Sequence, residues 1–212
     1  MMSAPPRPAI PDLLELRLEI ETPRLMLRPW TSSEADVNAM WPYASDPEFP
    51  KQMSWAAHTE KDTTRAFLES NEKDLADGKG INWAIIHGGK PVGSIELGSI
   101  RWQVAAWRVD RAELGYWIAP ELWGKGLMTE AAHHVLLFAF DAIGLHKITV
   151  GCFEKNIASR RVIEKVGFRH IGRQDDDVWR DGAWHAHLRY ELTASQWSDV
   201  STTMPISRPH RT

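Results

Sequence analysis

The stretch Glu121-Leu122-Trp123-Gly124-Lys125-Gly126-Leu127-Met128-Thr129-Glu130-Ala131 joins an alternating, strand-like segment to a long apolar, helix-like one. Glycine accepts backbone angles that turn successive N–H groups inward, so two glycines two residues apart can form an anion nest. A helix starting at Leu127 adds unpaired N–H donors and a partial positive charge. Lys125 adds a direct charge. Such a cradle holds a diphosphate without any basic excess elsewhere. Taken alone, Gly-x-Gly also reads as a tight turn that admits a close helix. The stretch is neither a P-loop, since Gly-x-x-x-x-Gly-Lys-Ser/Thr is absent, nor a dinucleotide fingerprint, since the third glycine is missing.

Working outward, Ala112 to Ile118 reads as a strand ahead of the loop. The helix behind the loop runs to Ile143 and ends at Gly144 in the C′ position. His146 to Phe153 alternates again, with Ile148, Val150 and Cys152 on one face. This is a βαβ unit, so its two strands should be parallel. Upstream, Leu16 to Trp30 reads as a strand interrupted near Pro23. Thr31 with Glu34 reads as a capping box that opens a helix to about Met40. Pro42, Pro47 and Pro50 break the segment after it. Thr59 to Ala76 is a second helix, stopped by Gly78. Gly88-Gly89 joins Ile81–His87 to Pro91–Ile100 in a hairpin, and Asp181-Gly182 joins Phe168–Trp179 to Ala183–Leu192. Asn156 to Val166 is a short helix. Residues 101–111 carry no clear pattern. This order predicts an α+β fold: a mixed, mostly antiparallel sheet with helices on both faces.

Four prolines in residues 1–11 mark a disordered lead-in. Residues 12–197 read as a single domain, and 198–212 as a flexible tail. A net charge of -3 argues against a nucleic-acid footprint, which needs a basic excess. The single cysteine, Cys152, excludes an internal disulfide and reads as a small core residue. No secretory leader and no run of about 18 apolar residues appears, so the expectation is a cytoplasmic protein with no membrane span. No His/Cys/Asp/Glu set has zinc spacing, so no metal is expected. Eleven tryptophans exceed what the core elements need, and some are expected to line a ligand cleft.

A second cluster, Asn156-Ile157-Ala158-Ser159-Arg160-Arg161-Val162-Ile163-Glu164-Lys165-Val166-Gly167-Phe168, lies just after the second parallel strand. Asn156 is a favoured helix N-cap, and Gly167-Phe168 a C-terminal cap with its hydrophobic contact. With the first cluster about 30 residues earlier, it resembles the GNAT superfamily of acetyl-CoA-dependent N-acetyltransferases, in its ribosomal-protein N-terminal (RimJ/RimL-like) branch. Glu21-Thr22-Pro23-Arg24-Leu25-Met26-Leu27-Arg28-Pro29, Glu113-Leu114-Gly115-Tyr116-Trp117-Ile118 and Asp181-Gly182-Ala183-Trp184-His185 extend the likeness over residues 17 to 193.

The resemblance implies a sheet splayed at its centre, with the pantetheine arm of acetyl-CoA in the gap near Trp117 and Ile118. It implies that the pyrophosphate sits on Trp123, Gly124, Lys125, Gly126, Leu127, Met128 and Thr129. Asn156 would reach the pantetheine, and Arg160, Arg161 or Lys165 the 3′-phosphate. The reaction implied is amine attack on a thioester, which needs a proton acceptor for the amine and a donor for the leaving thiolate. Glu113 is the candidate base, its alternative being a solvated strand residue. Ser159 is the candidate acid by analogy with the branch; the wider family's tyrosine is Ile163 here, and Tyr116 is a spare. Glu121 stands where the family often has Gln or Arg, and Ala186 where the branch often has an acid.

An α-amino group has pKa ~8 and a lysine ~10.4, a difference of about 3 kcal/mol in the cost of making neutral amine at pH 7. That ranks a protein or peptide N-terminus first as acceptor. A small-molecule amine is the alternative, and a non-catalytic acyl-CoA-binding protein a more remote one. The acceptor pocket is expected from 31–60 and 101–111, with Trp41, Tyr43, Trp55, His58, Trp102 and Trp107. Oligomeric state is not legible.

Overall fold

A computed structural model describes residues 9–201; most of the expected lead-in and tail, 1–8 and 202–212, lies outside the described residues. The chain forms β1 (Ile20–Glu21), β2 (Met26–Pro29), α1 (Glu34–Ala44), α2 (Lys61–Ala76), β3 (Ile81–His87), β4 (Lys90–Val104) and β5 (Trp107–Ile118). It continues through α3 (Leu127–Leu137), a π-helical extension (Phe138–Ile143), β6 (Lys147–Phe153), α4 (Ile157–Lys165), β7 (Arg169–Arg180), β8 (Ala183–Thr193) and α5 (Ala194–Ser201). One eight-stranded sheet runs in the order β1-β2-β3-β4-β5-β6-β8-β7. Every pair is antiparallel except β5–β6, the expected parallel pair.

Side chains alternate across a strand, and that period divides the core in two. On one face Leu114, Ile118, Ile148 and Val150 pack against Leu127, Ala131, Val135 and Ile163 of α3 and α4. On the other, Trp30 and Ala84 meet Val37, Met40 and Leu68 of α1 and α2. Each buried Leu, Ile, Val or Met among them contributes roughly 1.5–3 kcal/mol. Gly88 and Gly89 take left-handed angles, φ 57° and 76°, at the β3–β4 turn.

Four local expectations are revised. Ser33, not Thr31, caps α1, accepting from the Asp36 N–H; Thr31 instead donates from N and Oγ1 to the Asp36 carboxylate, which is paired with Arg28. Pro42 lies inside α1, where it forgoes one backbone bond rather than ending the helix. Residues 101–111 extend the β4–β5 hairpin, turning at Ala105 with φ 51°. The C-terminal helix α5 runs to Ser201, past the boundary expected at 198; its Trp197 is buried and stacks on Phe140 at 5.8 Å.

The sheet opens at its centre. β5 and β6 pair only at Arg111↔Lys147, Ala112↔Ile148 and Glu113↔Thr149. β5 stays paired to β4 as far as Gly93↔Ile118, and β6 to β8 as far as Phe153↔His187. Beyond Glu113 and Thr149 the two strands therefore diverge, leaving a split with main chain on each edge.

The β4–β5 edge depends on close approach at Gly93. A Cβ there would lie 2.6 Å from the Trp117 carbonyl oxygen and 3.1 Å from Ile118 Cα, both backbone. Gly93→Ala is expected to destabilise by about 1–3 kcal/mol, lowering the urea midpoint. An unchanged midpoint would show that β4 and β5 are not packed this tightly.

Candidate active site

The loop ahead of α3 has the angles its glycines promise. Gly124 and Gly126 sit at φ 75° and 77°, and nothing lies within 4 Å of where a Cβ of Gly124 would point. Gly126 is the N-cap of α3 and offers no side-chain cap. The bond from the Glu130 N–H to the Gly126 carbonyl, 3.1 Å, closes the first helical turn. The N–H groups of Leu127, Met128 and Thr129 thus have no acceptor four residues back. Leu127 and Met128 bury their side chains, so their possible share in the cradle is main chain alone. Lys125 is exposed.

The same loop is pinned from a distance. Glu130 accepts from Thr22 Oγ1 at 2.6 Å, from the Arg24 N–H at 2.9 Å and from Arg24 Nε at 2.6 Å. Arg24 also donates from Nη1 to the Lys125 carbonyl at 3.0 Å. Burial pushes the Glu130 carboxyl up, but the bonds from Thr22 and Arg24 outweigh it and hold the group below its usual range. No local sequence pattern assigns Arg24 and Glu130 this role, because the two charges lie 106 positions apart. Trp123 folds back and donates from Nε1 to the Ile118 carbonyl at 2.9 Å, so that carbonyl is already engaged.

On the α4 side of the split, Asn156 caps the helix by accepting from the Ser159 N–H at 3.0 Å. Its side-chain NH₂ is a further donor. Ser159 Oγ lies 2.9 Å from the Tyr116 hydroxyl, which also donates to the Ser159 carbonyl at 3.2 Å. Burial pushes the Tyr116 phenol up, so it stays neutral and able to donate. Burial likewise pushes the nearby Cys152 thiol up, which suits a core residue better than a nucleophile. Arg161 is exposed, whereas Arg160 turns inward beside Tyr190 and lies 3.9 Å from Glu164. Its place one turn from buried Ile163 puts it on the sheet-facing side of α4. The two arginines therefore offer different reach to a phosphate.

Glu113 and Ser159 are not brought together. Alternation along β5 puts Glu113, Gly115 and Trp117 on the α1–α2 face and Tyr116 with Ser159 on the other. Glu113 marks the closed end of the split, half exposed, with Arg189 Nη1 at 3.7 Å. Two glycines line the open part, and each is covered by a polar side chain. A Cβ on Gly115 would meet Glu96 Oε1 at 2.5 Å; one on Gly151 would meet His187 Cε1 at 2.5 Å and Arg189 Nη1 at 3.0 Å. Burial, and then Arg189, holds the His187 imidazole below its usual pKa, against the opposing pull of Asp177.

Aromatic rings wall this face. Trp117 meets Tyr43 at 5.2 Å and Phe49 at 5.3 Å, and Phe49 meets Trp55 at 6.2 Å. Arg180, from the β7–β8 hairpin, donates to the carbonyls of Met53 (2.7 Å) and Trp55 (3.2 Å), tying the hairpin to the α1–α2 connection. Of the residues expected in an acceptor pocket, Tyr43 and Trp55 from 31–60 belong to this wall. Trp107, expected there from 101–111, stands apart from this wall: it opens β5, six residues before the closed end of the split, and is 76% exposed.

A protein-family model described as an acetyltransferase (GNAT) domain matches residues 24–169. YdaF of Bacillus subtilis (strain 168), named as a candidate ribosomal N-acetyltransferase, is 32% identical over 126 residues, 59% of this chain and 66% of that one. A second relative from the same organism, YjcK, is matched over 51% of its own length, so the chain spans about half to two thirds of these relatives. The structure of a GNAT-family acetyltransferase from Bacillus anthracis superposes with TM-score 0.70 at 26% identity, covering 84% of this chain and 99% of that one. The spermidine N-acetyltransferase of Vibrio cholerae, solved with CoA and spermine, shares the fold: TM-score 0.71, 20% identity, 82% and 98% covered.

The Glu130 clamp has a pH signature. A carboxyl held low in the fold contributes stability that is present above its unfolded pKa of about 4.3 and lost as pH falls through its folded value. Glu130→Gln is expected to cost about 1–3 kcal/mol at neutral pH. The gap between wild type and variant should narrow as pH drops below about 4.5. Urea midpoints across that window check it; a gap independent of pH would mean that the Glu130 charge contributes nothing.

Proposed function

The chain belongs to the GNAT acetyltransferase family, and from that premise we propose that it transfers an acetyl group from acetyl-CoA to a primary amine. The observation that carries this is the split between β5 and β6, opening beside an uncapped helix N-terminus. A cradle whose glycine at 124 leaves open space, with free main-chain donors behind it, fits a pyrophosphate. Gly124, Lys125, Gly126 and the N–H groups of Leu127 to Thr129 would hold it. Asn156 would meet the pantetheine arm, and exposed Arg161 is better placed than Arg160 for the 3′-phosphate. Bound there, acetyl-CoA supplies the thioester and the leaving thiolate.

The protein's own groups divide the proton work across the sheet. On the amine face Glu113 serves proton removal at the closed end of the split. On the opposite face Ser159 donates toward the departing sulfur, and Tyr116 keeps that hydroxyl in place from 2.9 Å. The acceptor we favour is a protein or peptide N-terminal α-amine. Support comes from the lower cost of its neutral form and from the ribosomal acceptor class in the name of one relative. A polyamine is the second reading, favoured by the carboxylates of Glu113, Glu96 and Asp177 around this face. We place the protein in the cytoplasm, where a lone buried cysteine stays reduced.

Two measurements test this. Acetyl-CoA at 100 times its Kd should stabilise the protein by about 2.7 kcal/mol. Gly124→Val should abolish the rise in Tm, and no rise in the wild type at millimolar acetyl-CoA would sink the reading. In a thiol-release assay with N-terminal peptides and polyamines, Ser159→Ala should lower turnover roughly 10²-fold or more while acetyl-CoA still binds. Its defect should shrink with acyl donors of more acidic thiols; a defect independent of the leaving group would remove Ser159 from the chemistry. Higher kcat/KM for polyamines than for peptides would establish the second reading.

A further inference from the structure

Glu96 stands opposite Gly115 across the β4–β5 ladder. Its side chain does not rise straight from the sheet. The site a Gly115 Cβ would take lies 2.5 Å from Glu96 Oε1, 3.0 Å from Cγ and 3.1 Å from Cδ. The carboxylate therefore leans across β5 towards the split, and only glycine at 115 leaves room for it. A chain of polar groups holds it there. Trp30 Nε1 donates to Ser94 Oγ at 3.1 Å, and Ser94 donates to Asn82 Oδ1 at 2.5 Å. Asn82 Nδ2 donates to Glu96 Oε2 at 3.3 Å. Trp30, Ser94 and Asn82 are all buried. Hydrogen-bonded side chains in a core are costly to desolvate, and this series runs in one direction to a single carboxylate.

We propose that Glu96 is the catalytic residue that accepts the proton of the acceptor amine, and that Glu113 passes it to solvent. This rests on the acetyl-transfer reading above. The step balances simply. The ammonium gives one proton to the ionised Glu96 carboxylate and becomes a neutral amine, which forms the C–N bond as the C–S bond breaks. The second nitrogen proton ends on the coenzyme A thiol. Glu113, on the same face two residues from Gly115, is half exposed beside Arg189 and is the exit. Burial first, then the charges of Glu113 and Asp74, push the Glu96 carboxyl above its usual range, which makes it a stronger proton acceptor than an ordinary carboxylate. From β3 it faces Asn82; across the split stand His187 and Arg189.

The two carboxylates have opposite signatures in the test. Carboxyl ¹³C NMR of the protein without acetyl-CoA should show Glu96 titrating above the ordinary Glu value of about 4.3. Glu113→Gln removes a like charge, so it should shift that titration, and the acid limb of the kcat profile, to lower pH. It should lower kcat about tenfold or less. Glu96→Gln should lower kcat roughly 10²-fold or more and abolish the limb while KM for acetyl-CoA stays near wild type. The proposal is overturned if Glu96 titrates at the ordinary value, a reading that needs no variant to fold. It is equally overturned if Glu113→Gln abolishes the limb and Glu96→Gln merely displaces it. A wild type that transfers no acetyl to any amine would bring down the proposed function and this role with it, whatever the titration shows.

Discussion

The structure turns on a sheet that stops pairing at its middle. Main-chain N–H and C=O groups away from water are almost always bonded, because an unpaired one costs roughly what a lost hydrogen bond costs. Yet β5 and β6 share three register pairs and then part, in the centre of eight strands. The outer ladders keep each edge straight: β4 holds β5 as far as Ile118, and β8 holds β6 as far as Phe153. The split is thus a rigid opening with a peptide-like lining, suited to a ligand that carries amides of its own. The residues proposed for the chemistry are arranged around it. The glycine loop and α3 stand at its mouth, α4 with Ser159 on one face, and the carboxylates with the aromatic wall on the other.

This arrangement would separate the two proposed proton tasks by the thickness of a strand. On the proposed reading, residues 113, 115 and 117 of β5 would face the amine and 116 the sulfur side, so one β-strand would carry both halves of the reaction. The glycines at 115 and 151 matter for the same reason. Each gives up its own side chain so that a polar group from the neighbouring strand can lean into the opening: Glu96 on one edge, His187 and Arg189 on the other.

Much of this was legible in the sequence because it is local. Period-two alternation at 146–153, the Gly88-Gly89 and Asp181-Gly182 turns, the glycine loop before an apolar helix and the Asn156 cap each lie within a few residues, and each appears where expected. What was not legible depends on contacts between distant parts of the chain. Thr31 looked like a cap, yet its side chain and N–H are drawn to Asp36, whose other partner is Arg28 on β2. Trp102 and Trp107 looked like cleft residues, but the length of the β4–β5 hairpin carries Trp107 beyond the closed end. Glu96 carries no motif at all; the role proposed for it rests on the missing Cβ of Gly115, which only the register reveals.

On this reading coenzyme A would complete the sheet by bonding to main chain inside the split. Amide hydrogen exchange measures this directly. In the free protein the amides of 114–118 and 150–153 that point into the opening should exchange faster than those facing β4 and β8. Coenzyme A should slow that fast set selectively, together with the first amides of α3. Slowing at α3 alone, with the amides of the split unchanged, would mean that coenzyme A does not bond to the strand edges.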